Sequence, residues 1–321
     1  MISKPEFESK QIVFVLLNEG EKIAFSNDNI IVKDKDGKIR HQSTCYRLFM
    51  LCLIGNISIT NAVFKAARKF CFLIVLMSSS MKTYEMLGGR MEGNVILRRK
   101  QYAYSGLELA KHLLKNKVEN SRQLLMAERN KSEDVKLSIA RLDEFVTRIR
   151  SYTGELSGLL GLEGLSAREY FKCYYRDIEW KGRKPRIKCD FINSTLDIGY
   201  TILFNYIDAL LNAFGFDTYC GVLHREFYMR KSLVCDLVEP FRSLIDMQVR
   251  KSVNLKQCQP EDFTNRNGAF LLKWENNGKY IGFLMQPILQ KKVEIFMYVQ
   301  SYYRAFMKGK KAEEFPVFVV R

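Results

Sequence analysis

The first 87 residues show short apolar runs at close spacing, which is the pattern of β-strands. "QIVFVLL", "EKIAFS" and "DNIIVKD" follow one another, and "KDKDGKIR" is typical of a hairpin turn whose glycine has a positive φ. The buried runs "YRLFMLCLIG" and "CFLIVLM" flank "ITNAVFKAARKF", where the apolar spacing becomes that of a short helix. The pattern predicts a small β-rich N-terminal domain over residues 1–87.

Residues 88–93, "GGRMEG", contain three glycines, which favours a linker. Beyond them, "LELAKHLLKNKVENSRQLLMAERN" and "EDVKLSIARLDEFVTRIRSYTGELSGLL" have apolar residues at three- and four-residue spacing. "LDIGYTILFNYIDALLNAFGF" is apolar on nearly every side and predicts a central buried helix. The chain is therefore predicted to be of the α+β class, with a larger all-α domain over residues 94–321.

The net charge of the 321-residue chain is +16, and its distribution is uneven. Residues 1–93 carry 13 basic and 9 acidic side chains (+4), so the remaining 38 and 26 give +12 in residues 94–321. Like charges repel in a folded domain, so an excess of this size indicates a polyanionic partner such as DNA, RNA or a membrane surface. The 47% of hydrophobic residues is typical of a globular protein with a substantial core.

The eight cysteines form no CxxC pair, which argues against a structural zinc site. Several lie inside apolar runs, as free thiols do in the reducing cytosol. The start "MISKPEFESK" has no apolar segment of a secretory signal, and the run "FCFLIVLM" is far shorter than a bilayer span of about 20 residues. We expect a cytoplasmic protein without a membrane partner.

The segment "LLGLEGLSAREYF" places Glu163 among small and apolar residues. A carboxylate in such surroundings is costly to bury unless it meets a cation or a metal ion. The alternative is a structural acid near the start of a helix "GLSAREYF", where a negative charge complements the helix dipole. Taken alone, the segment favours this structural interpretation.

The segment "GVLHREFYMRKSLVCDLVEPFR" carries His224, Asp236 and Glu239. A lone histidine after an apolar run is more often a packed residue than a ligand. Asp236 and Glu239 share a face if the segment is helical. The alternative to a metal site is that they form a solvated acidic face, paired with Arg242. Pro240 lacks a backbone donor and restricts the residue before it, so we expect a bend or a new helix start there.

Taken together, the acids and the histidine form a natural ligand set for a divalent cation. Carboxylates suit Mg²⁺ and Mn²⁺, and an imidazole shifts the preference towards Mn²⁺. In a basic protein such a metal would polarise a phosphodiester and offset the charge on the leaving oxygen. Separation along the sequence does not by itself bring these residues together.

Basic patches add candidate contacts to a nucleic acid. "LRRKQY" and "KGRKPRIK" place cations where they can neutralise phosphates, although a solvated basic face would have the same pattern. The tyrosines of "YVQSYYRAFMKGKK" could stack on bases, but we assign them to the core. The predicted DNA-binding residues are Arg98, Arg99, Lys181, Arg183, Lys184, Arg186 and Arg242.

These segments, in this order, resemble the CRISPR-associated integrase-endonuclease family of spacer acquisition. "NVILRRKQY" resembles the opening of that family's helical domain, and "LLGLEGLSAREYF" resembles its first acidic motif. "FINSTLDIGYTIL" resembles the Asn-x-x-Leu-x-x-Gly-Tyr helix, and "GVLHREFYMRKSLVCDLVEPFRSLID" resembles the Leu-His…Ser-Leu…Asp-Leu-x-Glu-x-Phe-Arg block. The chain departs from the family at Asp197, where many members have Asn or Ser.

The resemblance implies a β-rich N-terminal domain, to which we assign dimerisation, and an α-helical catalytic domain. It implies that Glu163, His224 and Glu239 bind Mg²⁺ or Mn²⁺ and that Asp236 is an acid beside the metal. It also implies homodimers that flank a small companion Cas protein and act in antiviral defence. The implied reaction inserts short double-stranded DNA fragments into the CRISPR array, a fragment's 3′-hydroxyl attacking a repeat phosphodiester.

The expected function is therefore a metal-dependent DNA integrase and endonuclease. One alternative is a non-catalytic nucleic-acid-binding scaffold of the same fold, whose acids are structural. A weaker alternative is a helical nuclease that processes RNA.

Overall fold

The chain begins with short strands and continues as a series of helices. The computed structural model describes residues 3–89, 91, 93–178, 180, 182–185, 187–225 and 228–320. The elements of the N-terminal part are α1 (Lys4–Glu8), β1 (Gln11–Leu17), β2 (Lys22–Ser26), β3 (Asn29–Lys33), β4 (Ile39–Thr44), β5 (Leu48–Gly55), α2 (Asn61–Lys69), β6 (Leu73–Met77) and β7 (Thr83–Gly88). The other elements lie where the apolar pattern places them, whereas α1 and β7 were not predicted.

The N-terminal strands form two sheets. The first has the order β1-β5-β6-β7, with β1, β5 and β6 parallel and β7 antiparallel to β6. The second is antiparallel and has the order β2-β3-β4, and Gly37 in its β3–β4 turn has the expected positive φ of 82°. β5 is buried along nearly its whole length, as a continuous apolar run in the middle of a covered sheet should be.

The two faces of the first sheet pack against different parts of the protein. Met50, Cys52 and Val75 belong to the core that is shared with the helices. Leu51 and Ile74, on the opposite face, pack with residues of the second sheet and α2. One face of the sheet thus joins the β-rich part to the helical part. The division at residues 88–93 stays a prediction, and residues 90 and 92 lie outside the described chain.

Helices dominate the C-terminal part. They are α3 (Val95–Ala103), α4 (Glu108–Met126), α5 (Glu133–Arg150), α6 (Leu156–Tyr174), α7 (Phe191–Phe214), α8 (Ser232–Val238), α9 (Arg242–Asn254), α10 (Asn277–Gln290) and α11 (Lys292–Lys308), with a hairpin of β8 (Phe263–Arg266) and β9 (Ala269–Leu272) between α9 and α10. None of the helices within the described ranges has both the length and the apolar character of a membrane span.

α7 is the central buried helix that its sequence predicts, with most of its side chains inside the core. A Cβ at Gly199 would lie 2.5 Å from Ile245 Cγ2, so glycine is needed for the close approach of α7 and α9. This packing holds α9 and the segment before it in a fixed place. The α+β architecture, with a β-rich part followed by a larger helical part, is confirmed.

Candidate active site

A cleft of about 830 Å³ lies between the β6–β7 turn, α4, α6, α7 and the segment that joins α8 to α9. Glu163, His224 and Glu239 all line it, although 61 residues separate the first two in the sequence (224 − 163). The fold therefore brings these three residues into one cleft, which their positions in the sequence could not show. Their assignment as metal ligands remains a proposal.

Glu163 lies in the middle of α6, one of the longer helices of the chain. The alternative that it is an acid at a helix N-terminus is wrong, since α6 begins seven residues earlier, at Leu156 (163 − 156). A carboxylate there gains little from the helix dipole, whose effect is confined to the first turn. The side chain keeps 22% of its surface exposed, on the wall of the cleft.

Asp236 is a fully buried carboxylate that organises the turn carrying His224. Its Oδ2 accepts the backbone N–H groups of Val222 (2.6 Å) and Leu223 (3.0 Å). Its Oδ1 accepts the backbone N–H (2.7 Å) and the Nδ1–H (2.9 Å) of His224. A Cβ at Gly221 would lie 2.8 Å from Asp236 Oδ2, so the turn can wrap this closely only with glycine there.

These four hydrogen bonds give Asp236 a positioning role. Because Nδ1 donates to a carboxylate, the imidazole of His224 is held in one orientation and Nε2 is left for another partner. Both Asp236 oxygens are already engaged, so the residue stands behind the histidine rather than beside it as a further ligand. That Asp236 is an acid beside a metal ion stays a prediction.

The chain changes helical geometry at Glu239, as Pro240 led us to expect. α8 ends at Val238, Glu239–Phe241 forms a 3-10 turn, and α9 begins at Arg242. Glu239 is only 2% exposed, and its Oε1 accepts from Arg242 Nε at 3.0 Å. A solvated acidic face is therefore wrong for this pair, since both Asp236 and Glu239 are buried.

Lys117 of α4 lies between the two glutamates. Its Nζ is hydrogen-bonded to Glu163 Oε1 and lies 2.6 Å from Glu239 Oε2. Glu239 Oε2 is thus a buried oxygen whose neighbouring cation is the Lys117 ammonium group.

The pKa values of this group follow from its charges. Burial alone would raise the pKa of Glu239, but the charges of Arg242 and Lys117 outweigh it and lower the pKa to about 2. Burial would lower the pKa of Lys117, but the two glutamates raise it.

For His224, burial also disfavours the charged form. The hydrogen bond to Asp236 and the charge of Glu239 outweigh burial and raise the pKa of the imidazole.

The residues present fit a hard or borderline divalent cation. Glu163, Glu239 and His224 line the cleft, and carboxylates with an imidazole suit such an ion. Among the described residues no three His, Cys, Asp or Glu side chains meet as a preassembled cluster. An ammonium group lies between the two carboxylates instead.

A further acid, Asp246 of α9, also lines the cleft. It accepts hydrogen bonds from the hydroxyls of Tyr200 and of Tyr170 (3.2 Å). Burial raises its pKa to about 6, although the tyrosine hydrogen bonds and the charge of Arg242 act in the opposite direction. The Tyr200 ring packs against the guanidinium of Arg242, 4.5 Å from the ring centroid.

Asp246→Asn is expected to become more stable relative to the wild type as the pH rises from about 4 to about 6. Burial raises the pKa of this carboxyl from 3.8 to about 6, so between these two values the folded protein keeps a proton that the unfolded chain has lost. The stability that the carboxyl contributes therefore falls as the pH rises through that window. The difference is at most about 3 kcal/mol, since one pKa unit corresponds to about 1.4 kcal/mol. Urea unfolding at several pH values measures it.

The control is Asp36→Asn, which removes an exposed carboxyl in the β3–β4 turn. The pH dependence of Asp246→Asn is compared with that of this variant. A pH-independent difference for Asp246→Asn would contradict the assignment of a raised pKa to the buried carboxyl.

The predicted DNA-binding cations have different surroundings. Arg183 pairs with Asp197 at 2.5 Å and Arg242 pairs with Glu239, so both have partners inside the protein. The pair explains how the chain accommodates Asp197, where it departs from the family pattern. The side chains of Arg99 and Lys184 are exposed, Arg98 is half-buried, and Lys181 and Arg186 lie outside the described residues.

Two further cations that the sequence did not indicate line the cleft: Lys117, and Lys82 of the β6–β7 turn. Lys188 also lines it and is the last residue of the basic segment "KGRKPRIK". The sequence indicates a functional role for Lys117 only through its position between the buried residues Asn116 and Val118 of an amphipathic helix. Lys82 carries no signal, because 81 residues separate it from Glu163 (163 − 82). Only the packing of the sheet against α7 brings it to the cleft.

The chain matches known proteins over most of its length. The family profile described as CRISPR associated protein Cas1 matches residues 14–285. A CRISPR-associated endonuclease Cas1 of Thermodesulfovibrio yellowstonii is 26% identical over 272 residues, which cover 80% of this chain and 86% of that protein. Another, of Archaeoglobus fulgidus, is 27% identical over 276 residues and covers 77% and 80%.

Solved structures share the fold. A Cas1 protein from Thermotoga maritima has a TM-score of 0.77 at 17% identity, covering 96% of this chain and 99% of that chain. A casposase bound to integration product has a TM-score of 0.77 at 18% identity and covers 96% of each chain. A chain of a Cas6-RT-Cas1–Cas2 complex has a TM-score of 0.81 at 22% identity, and this protein spans 36% of its length. The profile match covers well over half of the sequence, and the chain therefore belongs to the family of the CRISPR associated protein Cas1.

Proposed function

We propose that this protein is a metal-dependent DNA integrase and endonuclease of CRISPR adaptation. Membership of the Cas1 family makes it one of the endonucleases and integrases of that process. The observation that supports the chemistry best is the meeting of Glu163, His224 and Glu239 in one cleft. Metal dependence and transesterification are our proposals for this chain.

Each residue has a distinct part in the proposed reaction. Glu163, His224 and Glu239 hold a divalent cation, Mg²⁺ or Mn²⁺. Asp236 fixes the imidazole through Nδ1, which would leave Nε2 to bind the cation. Arg242 keeps Glu239 charged, because its positive charge lowers the pKa of that carboxyl. A bound divalent cation supplies Lewis acidity towards the phosphodiester and compensates the charge that develops on the leaving oxygen.

The proposed strand transfer joins two DNA molecules without net hydrolysis. The 3′-hydroxyl oxygen of an incoming fragment forms a new bond to a repeat phosphorus, its proton is released, and the repeat strand leaves as a hydroxyl. Water as the nucleophile would give cleavage at the same site. The number of phosphodiester bonds is conserved in the first case and falls by one in the second.

The partners are proposed from the neighbours and from charge. We propose double-stranded DNA and a small companion Cas protein, since one structural neighbour is a Cas1–Cas2 complex and another is a casposase bound to integration product. The net charge of +16 suits a polyanion. A homodimer formed through the β-rich domain at residues 1–87, a linker at 88–93 and a catalytic domain at 94–321 remain proposals.

Lys82 and Lys188 are proposed to contact DNA phosphates at the rim of the cleft. Both line it, and neither has an ion-pair partner in the described part of the chain. The turn that carries Lys82 is held in place because Thr83 and Asn205 of α7 exchange two side-chain hydrogen bonds (3.0 and 2.8 Å). A cation on a fixed turn can position a phosphate at a small entropic cost.

Lys82→Gln with Lys188→Gln is expected to weaken DNA binding and its salt dependence together. Each lost phosphate contact makes the slope of log K against log salt less steep by about 0.9, so the double variant should lose about 1.8. Fluorescence anisotropy with duplex DNA at several salt concentrations measures the slope. Lys38→Gln in the β3–β4 turn is the control, and an unchanged slope in the double variant would refute the contacts.

A half-site integration assay tests the proposed function. The full chain is mixed with labelled duplex fragments and a repeat-containing target in Mn²⁺, Mg²⁺ or chelator. We expect a branched product with either cation and none with chelator. DNA binding without any product, with or without metal, would instead favour the non-catalytic scaffold. Cleavage of RNA in preference to DNA would favour the RNA-processing nuclease.

A further inference from the structure

The position of Lys117 in the cleft is fixed by the helix that carries it. Asn116 and Asn120, its neighbours on α4, are buried and bind the extended segment near Phe318: Asn116 Nδ2 and Asn120 Nδ2 both donate to Phe318 O, at 2.7 and 2.9 Å. Asn120 Nδ2 also donates to Pro240 O at 2.9 Å, next to Glu239. The backbone of α4 is thus tied to the segment that carries the second glutamate.

The Lys117 ammonium group occupies the space between the two glutamates. It contacts Glu163 Oε1 and, at 2.6 Å, Glu239 Oε2, while the side chain is only 14% exposed. Arg242 already neutralises Glu239 through the other carboxylate oxygen. The lysine therefore bridges the two carboxylates instead of compensating one of them.

A single small cation between two carboxylates has the same electrostatic task as a bound divalent metal. Both cannot occupy that space, since a metal needs direct contact with oxygens that the ammonium group now approaches. Lysine has a flexible four-carbon stem, so its ammonium can leave the space without a backbone movement. The carboxylates would otherwise repel each other whenever no metal is bound.

We propose that Lys117 is an internal counter-ion that competes with the divalent cation for Glu163 and Glu239. In the metal-free protein it holds the two carboxylates together. When a divalent cation binds, the ammonium group is displaced from between them. The inference rests on the proposed metal site. It implies that Lys117 lowers the affinity of the protein for the divalent cation.

The test measures binding of Mn²⁺ to the metal-free full-length protein by calorimetry and by the electron paramagnetic resonance signal of free Mn²⁺. Lys117→Met and Lys117→Gln are expected to bind Mn²⁺ about tenfold more tightly than the wild type, a change of about 1.4 kcal/mol. Their metal-free melting temperatures should be lower, because two carboxylates lose their common counter-ion. Saturating Mn²⁺ should raise those melting temperatures more than it raises that of the wild type.

Lys115→Met is the matched control. Lys115 lies on the same helix but pairs with Glu119 at 3.5 Å, with about a third of both side chains exposed. This variant should bind Mn²⁺ as the wild type does. Unchanged or weaker binding in both neutral Lys117 variants would overturn the inference. If they do not fold without metal, Mn²⁺ must restore their near-ultraviolet circular dichroism, and failure to do so also contradicts it.

Glu163→Gln separates this inference from the proposed function. If it lowers Mn²⁺ affinity while Lys117→Met leaves it unchanged, the metal site stands and the competition is wrong. If Glu163→Gln binds Mn²⁺ as the wild type does, the proposed metal site itself fails.

Discussion

Glu163→Gln is expected to reduce strand transfer at least about 100-fold, which corresponds to roughly 2.7 kcal/mol of lost transition-state stabilisation. The amide keeps the length of the side chain and can still accept from Lys117, so the helix and the cleft wall should persist. It removes one negative charge and one strong oxygen donor from the proposed ligand set. The half-site integration assay measures the loss.

The affinity of this variant for duplex DNA should stay within about twofold of the wild type. A carboxylate on the cleft wall makes no attractive contact with a phosphate that the substitution could remove. Glu169→Gln is the matched control. Glu169 lies on the same helix but pairs with Arg141 and accepts from Ser138, and it does not line the cleft. Normal integration by Glu163→Gln would show that the site is wrongly assigned.

Asp236→Asn should have the second-largest effect, on stability and activity together. An amide nitrogen cannot accept a hydrogen bond, so two of the four donors that Asp236 now satisfies would lose their partner. Unsatisfied buried donors cost about 1–3 kcal/mol each, so we expect a loss of roughly 2–6 kcal/mol in the free energy of unfolding. Chemical denaturation measures that loss.

Activity should fall about 10–100-fold in Asp236→Asn, the range found when the partner of a metal-binding histidine is removed. The expected signature is weaker Mn²⁺ binding with intact Glu163 and Glu239. Asp217→Asn is the control, since Asp217 accepts from Tyr102 and from the backbone of Tyr219 away from the cleft. If Asp236→Asn kept wild-type stability and activity, the positioning role proposed for Asp236 would be wrong.

The β-rich part could be predicted from the sequence because its apolar runs are short and separated by turn residues. The helical part could be predicted because its periodicity is sustained, and α7 because it is apolar on every side. What the pattern could not show is the join between them. Met50 and Leu51 are adjacent and equally apolar, yet they face different cores, and only the sheet order decides which face meets the helices.

The candidate site was predictable to a different degree at each residue. The break at Pro240 follows from local chemistry, and the structure has it. The helix start near Glu163 was wrong, because α6 begins at Leu156 and continues through Gly158 and Gly161. The link from Asp236 to residues 222–224 was not predictable, since it depends on a tight turn after Gly221.

The cations were the least predictable part of the site. A lysine on an amphipathic helix is usually solvated, so Lys117 could not be distinguished from Lys115 without knowing which face of α4 meets Glu239. In the same way the basic loop suggested free phosphate contacts, whereas Arg183 is paired with Asp197. Charge patterns give the sign of a surface, and packing decides which charges remain available.

The most direct test of the central claim is to locate the metal itself. Crystals of the full chain soaked in Mn²⁺ are measured at the manganese absorption edge, where anomalous scattering identifies the ion. We expect an anomalous peak in the cleft bound by Glu163, His224 and Glu239, with the Lys117 ammonium group moved from between the glutamates. A peak bound by other residues, or no peak in the cleft at a Mn²⁺ concentration that supports integration, would contradict it.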